Sequence, residues 1–221
     1  FVYLRNREYD RALAELDRAI ALNTGVAESY NTRGVVRVGL KDYDAAIADF
    51  TMCITLQPAV ASPYYNRAEA YQRQGHLEQA LEDYDRAIRI DPRDPAQRTS
   101  RGIARATTGD LEGALEDFSA SLEVEPDAPG GLYNRGKTLC ELGRTAEAVA
   151  DLDRAVQLSP AYNEARYQRM RAAVRLKRYE DAWRDLVELE TRGIKVEQSD
   201  IASLPESFRR RPRVVSSPPT Y

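Results

Sequence analysis

Apolar and small side chains return along this chain at a fixed interval of 34 residues. The clearest column is alanine, which occurs six times at that interval, at Ala12, Ala46, Ala80, Ala114, Ala148 and Ala182. Four residues after each alanine stands a large apolar side chain: Leu16, Phe50, Tyr84, Phe118, Leu152 and Leu186. Because residues four apart lie on one face of an α-helix, each pair predicts a helix that buries this face. The sequence therefore predicts a tandem array of helical units.

Each unit divides into two predicted helices. With positions numbered 1 to 34 from Ala27, the first helix covers positions 2–14 and the second covers positions 17–30, for example residues 62–74 and 77–90. Small residues at positions 8 and 20 allow the two helices to approach closely. Position 15 is glycine, which ends the first helix in a left-handed conformation, at Gly75, Gly109 and Gly143. Position 32 is proline, which ends the second helix, at Pro58, Pro92, Pro126 and Pro160.

These columns resemble the tetratricopeptide repeat family, whose 34-residue step, alanine, large apolar residue and proline they share. The resemblance extends over residues 1 to 196. It implies an all-α fold, a right-handed α-solenoid of helix–turn–helix repeats. The division it gives is a truncated repeat, represented by its C-terminal part, at 1–26, and full repeats at 27–60, 61–94, 95–128, 129–162 and 163–196.

Both ends of the array depart from this pattern. The repeat at 163–196 is atypical and terminal, and because the chain starts with Phe1 in the middle of a repeat, we expect further sequence upstream. Residues 197–208 carry an apolar stripe and are expected to form a capping helix. Residues 209–221 hold four arginines and no acid, and we interpret them as a basic Pro/Ser tail or linker. The alternatives are a basic arm for an acidic partner or a membrane surface, and a phosphorylatable Ser-Pro site.

Two columns of opposite charge run through the five full repeats. Position 7 is always arginine: Arg33, Arg67, Arg101, Arg135 and Arg169. Position 23 is always aspartate: Asp49, Asp83, Asp117, Asp151 and Asp185. We interpret them as structural pairs that join the two helices of a repeat, because a planar guanidinium suits a carboxylate in a half-buried interface. The alternative is an arginine ladder for an acidic partner.

The resemblance also implies a concave groove, lined by the first helices, in which a partner binds. The candidate groove residues are Asn31, Thr32, Tyr65, Asn66, Ser100, Tyr133, Asn134, Lys137, Tyr167, Gln168 and Arg171. Their amides can hydrogen-bond to the backbone of an extended peptide, and their tyrosines supply rigid contact area. The alternative is that these side chains are simply solvated.

Charge gives the groove a predicted polarity. Acidic side chains, Glu28 and Glu69, lie toward its N-terminal end, and basic ones, Lys137, Arg171 and Arg175, lie toward its C-terminal end. This favours a partner with an acidic stretch facing repeats four and five. The two-carboxylate clamp of co-chaperone members is absent, because position 5 is never lysine and position 9 is never asparagine.

Composition removes several classes of function. The chain has 32 basic and 35 acidic residues, a net charge of −3, which argues against nucleic-acid binding by phosphate neutralisation. No apolar run approaches the roughly 20 residues that span a bilayer, so we expect no membrane contact by this segment. Cys53 and Cys140 are expected to be free core thiols, and the single histidine, His76, cannot complete a metal site with them. Without a catalytic set or a phosphate-binding loop, we expect no enzyme activity and no cofactor.

The sequence therefore favours a non-catalytic protein–protein interaction scaffold that binds an extended peptide or a partner protein of unknown identity. One alternative is a self-associating assembly module, which would form a homo-oligomer. Another is a recruiting or regulatory repeat domain of a larger enzyme or membrane-anchored protein. The compartment is unknown. A cytoplasmic segment is slightly favoured, and an upstream signal or anchor stays open.

Overall fold

The structure is a computed structural model that describes residues 2–210, with side chains from residue 8 onward. Within that range the chain forms thirteen α-helices and no strand, which confirms the predicted all-α fold. The helices are α1 Val2–Leu22, α2 Ala27–Gly39, α3 Tyr43–Leu56, α4 Ala61–Gln74, α5 Leu77–Ile90, α6 Pro95–Thr108, α7 Leu111–Val124, α8 Pro129–Glu141, α9 Thr145–Leu158, α10 Asn163–Arg175, α11 Tyr179–Thr191, α12 Gln198–Ala202 and α13 Glu206–Arg209. Beyond Arg209 and Arg210, the predicted basic tail lies outside the described residues.

The helices fall into two compact units, divided between Asp110 and Leu111. Unit 1 contains α1–α6, and unit 2 contains α7–α13. In unit 1, α2 packs against α3 and α4 against α5, while α3 and α5 also pack against the helix that follows each of them. In unit 2, α8 packs against α9 and α10 against α11, and α7 and α9 likewise contact the next helix. Within each unit, the second helix of one repeat therefore also contacts the first helix of the next repeat.

Position 8 is glycine in the first and fourth repeats, where a large side chain from position 24 of the same repeat fills the space above it. A Cβ added to Gly34 would lie 2.5 Å from Cε1 of Phe50, and one added to Gly136 would lie 2.9 Å from Cγ of Leu152. Phe50 and Leu152 are fully buried. Because protein interiors are close-packed, such a contact would force a shift in the core. The glycine therefore sets how closely the two helices of a repeat approach.

Position 15 takes a left-handed backbone conformation after the first helix of every full repeat. The three glycines predicted to end helices, Gly75, Gly109 and Gly143, have φ angles of 82°, 89° and 80°. In the first and fifth repeats the same position is lysine, and Lys41 and Lys177 have φ angles of 64° and 59°. A side chain with a Cβ is strained in this region, so these two turns cost the fold more than the three glycine turns.

Residues 197–208, expected to form one capping helix, form two short ones. Pro205 separates α12 from α13, because its ring cannot donate the backbone hydrogen bond that a continuous helix needs. Ile201 and Leu204 are buried in one cluster with residues of α10 and α11. The ring of Phe208 lies 5.8 Å from that of Tyr179. The segment therefore packs its predicted apolar stripe against the last repeat with a break in the middle.

Candidate functional site

In unit 1, candidate groove residues on successive first helices touch one another. Asn66 Nδ2 donates to Asn31 Oδ1 at 3.0 Å, which joins α4 to α2. The hydroxyl groups of Tyr65 and Ser100 lie 3.2 Å apart, which joins α4 to α6. Each contact links position 5 of one repeat to position 6 of the next. We call these four residues the polar row; they are half-buried, whereas Thr32 is exposed.

A pocket with a volume of about 330 Å³ lies beside the polar row. Its lining residues are Glu69, Gln72, Arg73, Tyr84, Ser100 and Ile103. The Tyr65 hydroxyl is 3.3 Å from Glu69 Oε1, and the Tyr84 hydroxyl donates to Gln72 Oε1 at 2.8 Å. The two tyrosine rings have centroids 5.8 Å apart. Carboxylate, amide and aromatic groups therefore converge on one pocket.

Burial raises the pKa of both tyrosines at this pocket. For Tyr65 and for Tyr84, loss of water is the largest cause, and the negative charge of Glu69 adds to it. Both phenols therefore stay protonated at neutral pH, so they remain hydrogen-bond donors. The negative charge of the nearby Glu69 carboxylate acts on both phenols and favours their protonated form.

In unit 2, the groove residues of α8 make mainly local contacts. The ring of Tyr133 packs on that of Tyr162 with centroids 5.1 Å apart, and burial, with a smaller effect of Tyr133, raises the pKa of Tyr162 to about 12. Lys137 Nζ lies 3.9 Å from Glu141 Oε1, one turn along the same helix. The backbone carbonyl of Asn134 accepts from the Thr138 hydroxyl at 2.9 Å, which leaves the Asn134 side chain available.

The groove residues of α10 hold an acidic side chain from the C-terminal segment. The Tyr167 hydroxyl donates to Asp200 Oδ2 at 2.6 Å, and Arg171 Nε lies 3.3 Å from Asp200 Oδ1. Arg175 Nη1 donates to the Cys140 carbonyl at 3.0 Å. The basic side chains expected to meet an acidic partner are therefore already engaged within the chain. Unit 2 offers such a partner less free positive charge than the sequence indicated.

Four of the arginine–aspartate combinations lie within one unit, and each of these four is paired. In each of these, Nε and Nη2 of the arginine donate to the aspartate in a fork, which raises the pKa of the guanidinium. The Nη2–Oδ1 distances are 2.6 Å for Arg33–Asp49, 2.8 Å for Arg67–Asp83, 2.7 Å for Arg135–Asp151 and 2.6 Å for Arg169–Asp185. Arg101 and Asp117 belong to different units, and their pairing stays a prediction.

Arginines at position 7 also donate to a residue of the preceding repeat, a contact that the sequence pattern did not predict. This residue is at position 25, and it lies 16 residues before the arginine, just as the paired aspartate lies 16 residues after it. The distances from Nη1 are 2.6 Å for Arg33–Asp17, 2.9 Å for Arg67–Thr51, 2.7 Å for Arg101–Asp85 and 3.0 Å for Arg169–Asp153. The symmetrical spacing was the available signal. For Arg135, in the fourth repeat, the residue at position 25 of the preceding repeat is Ser119, and within the described residues it makes no hydrogen bond to Arg135.

Cys53 and Cys140 are free and buried, and burial raises the pKa of both thiols. Across residues 2–210, no cluster of histidine, cysteine and acidic side chains suits a metal ion. None of the helices described is both long and apolar enough to cross a lipid bilayer.

Tandem helix pairs with a left-handed turn at a fixed position place this chain among the helical repeat proteins. Sequence models described as tetratricopeptide repeat match residues 2–61, 68–130 and 129–162, which together cover more than half of the chain. The chain belongs to the tetratricopeptide repeat family. Among curated proteins, none matches it.

Several solved structures share the fold at low identity. PilW, described as a widely conserved type IV pilus biogenesis factor, is 19% identical with a TM-score of 0.74, over 85% of this chain and 87% of PilW. MamA from Desulfovibrio magneticus RS-1, from residue 41 to its end, is 15% identical with a TM-score of 0.70, over 74% of this chain and 93% of MamA. YrrB, described as a TPR protein with an unusual peptide-binding site, is 18% identical with a TM-score of 0.67, over 77% of this chain and 88% of YrrB. At these identities the likeness concerns the fold.

Proposed function

We propose that this chain is a non-catalytic scaffold that binds an extended peptide, or such a segment of a partner protein, along the first helices of its repeats. The observation that carries the proposal is the polar row of unit 1, which runs across three successive first helices beside a pocket of about 330 Å³. A row of this kind spans more than one repeat, as a site for an extended chain must.

The polar row keeps hydrogen-bonding capacity for a ligand. An amide side chain offers two donor hydrogens and a carbonyl with two lone pairs. The contact between Asn66 and Asn31 uses one donor of the first and one lone pair of the second. The Asn66 carbonyl and the Asn31 amino group are left for the N–H and C=O groups that an extended peptide presents. Backbone recognition of this type gives affinity without demanding one sequence.

Comparison with known folds supports a binding role. YrrB shares the fold and is described as having a peptide-binding site, and MamA and PilW share it as well. Stacked repeats present extended surfaces that serve as binding sites. In unit 2, Asn134 and Gln168 hold the positions equivalent to Asn66 and form no side-chain hydrogen bond within the described residues. They are candidates for the same task.

The test compares a groove variant with a matched surface variant in affinity capture from the native organism. The groove variant replaces Asn31 and Asn66 by alanine. The control replaces Gln79 and Glu116, which are exposed on the second helices α5 and α7. We expect a partner that is captured by the wild type and by the control, and that is lost from the groove variant. Circular dichroism must show equal helix content for all three chains.

Partners retained by the groove variant at wild-type level would overturn groove binding. Sedimentation of the purified chain over a range of concentrations tests the alternative of self-assembly. A monomer at every concentration agrees with the scaffold, whereas an oligomer that dissociates on Asn31 and Asn66 replacement assigns the groove to a second copy of this chain.

A further inference from the structure

Glu69 is an unusual acid for its place in the fold. It is half-buried on α4, and within the described residues it forms no ion pair. Its hydrogen bond comes from the Tyr65 hydroxyl, at 3.3 Å, which leaves most of its lone pairs unused. Charges that lose part of their water are normally paired, because an unpaired buried charge is costly. A cation supplied from outside would complete this site.

The walls of the same pocket suit a long basic side chain. Tyr84 forms a buried wall of the pocket: it is 1% exposed, and its ring lies against that of Tyr65. Ile103, on the other side of the pocket, is 38% exposed, which is high for a large apolar residue facing a cavity. The methylene stem of a lysine or arginine covers such a surface while its charged end reaches a carboxylate.

We propose that this cavity, here called the cation pocket and defined by Glu69, Tyr84 and Ile103, accepts a lysine or arginine side chain of the peptide bound in unit 1. The terminal cation pairs with Glu69, and the stem packs on Ile103. This inference rests on the proposed function, since the basic side chain is carried by the same extended peptide that the polar row holds.

Arg73 supplies an internal control for the charge. It lines the same pocket one turn beyond Glu69 on α4, it is exposed, and within residues 8–210 it forms no ion pair. Its positive charge opposes a basic ligand, whereas that of Glu69 attracts one. Neutralising these two residues should therefore change affinity in opposite directions, which a general loss of structure cannot do.

The experiment selects a phage-displayed library of random peptides on the complete 221-residue chain. We expect lysine or arginine to be enriched at one position. The best synthetic peptide is then measured by fluorescence polarisation against wild type, Glu69→Gln and Arg73→Gln. Glu69→Gln, which keeps the acceptor for Tyr65, should weaken binding about tenfold, and Arg73→Gln should tighten it about twofold. A peptide with the enriched basic residue replaced by methionine should bind wild type and Glu69→Gln equally.

The outcomes separate the two proposals. Peptides that lose binding on Asn31→Ala and Asn66→Ala, but show no basic enrichment or no response to Glu69→Gln, would overturn the cation pocket and leave groove binding intact. Basic peptides that bind the Asn31→Ala, Asn66→Ala chain as well as the wild type, but respond to Glu69→Gln, would support the pocket and count against the polar row. A library that yields no peptide binder counts against both.

Discussion

At position 15, where the backbone is left-handed, replacing either of the two lysines by glycine is expected to stabilise the chain. Lys41 and Lys177 adopt φ angles of 64° and 59°, which cost an L-residue about 1–2 kcal/mol. Glycine removes this strain but loses about 0.4–1 kcal/mol through its greater freedom in the unfolded chain. The difference predicts that Lys41→Gly and Lys177→Gly each raise the free energy of unfolding by about 0.5–1 kcal/mol.

Side-chain contacts of the two lysines do not contribute to the expected change in the free energy of unfolding. Both lysines are exposed, and within the described residues neither forms an ion pair or a side-chain hydrogen bond. The turns share one hydrogen-bonding pattern: the N–H of Lys41 donates to the Val38 carbonyl at 2.9 Å, as that of Gly75 donates to Gln72 at 3.0 Å. The substitution therefore removes no side-chain contact, and it acts through the backbone strain of the folded chain and the freedom of the unfolded one.

Urea unfolding followed by circular dichroism measures the effect, as a shift of midpoint at constant slope. Lys41→Ala is the matched control, because it removes the side chain and keeps the strain, and it should leave stability unchanged. Gly109→Ala is the reverse control: no atom lies within 4 Å of the added Cβ, so its expected loss of about 1 kcal/mol comes from the backbone. If Lys41→Ala stabilised the chain as much as Lys41→Gly, strain would not be the reason.

Three further predictions concern packing and charge. Gly34→Ala should destabilise the chain by about 1–3 kcal/mol in urea melts, because its Cβ would lie 2.5 Å from Phe50; an unchanged midpoint would contradict the packing argument. Asp185→Asn should lower the free energy of unfolding by about 3 kcal/mol, because Asp185 is 1% exposed and accepts from two guanidinium groups. Asp153→Ser should lower it by less than about 1 kcal/mol, because the Asp153 side chain is 48% exposed. Equal losses would show that burial does not determine how much these ion pairs contribute to stability. Cys53 and Cys140 should react slowly with a thiol reagent in the native chain and fast in urea, because burial raises the pKa of both thiols; native rates equal to the unfolded ones would refute this.

The sequence predicted the helix pairs closely because their causes are local. The stripe of position 24 and the glycine of position 15 each act within one repeat, so a column in one sequence is enough to find them. Helix α4, Ala61–Gln74, begins one residue before the prediction, and α5, Leu77–Ile90, has the predicted bounds. Lys41 and Lys177 were less visible, because the turn imposes a conformation that their own preferences oppose.

Contacts between repeats were harder to foresee. The second partner of an arginine at position 7, such as Asp17 for Arg33, comes from the preceding repeat, so only a comparison of spacings between repeats points to it. The pairing of Arg171 with Asp200 depends on how α12, which follows the last repeat, folds back toward α10. The pocket at Glu69 likewise needs side chains from three helices to be placed together.

The residues at position 25 show that the type of side chain alternates from one repeat to the next. Along the sequence they alternate between acid and hydroxyl: Asp17, Thr51, Asp85, Ser119 and Asp153. Position 6 alternates between hydroxyl and amide over the first four repeats, at Thr32, Asn66, Ser100 and Asn134. The helix pairs therefore repeat every 34 residues, whereas the type of side chain at position 25, and at position 6 over those four repeats, recurs only with every second pair. In the binding mode proposed above, a peptide shifted by one repeat along unit 1 would meet a hydroxyl where it had met an amide, so these side chains distinguish two registers that the helix pairs alone do not.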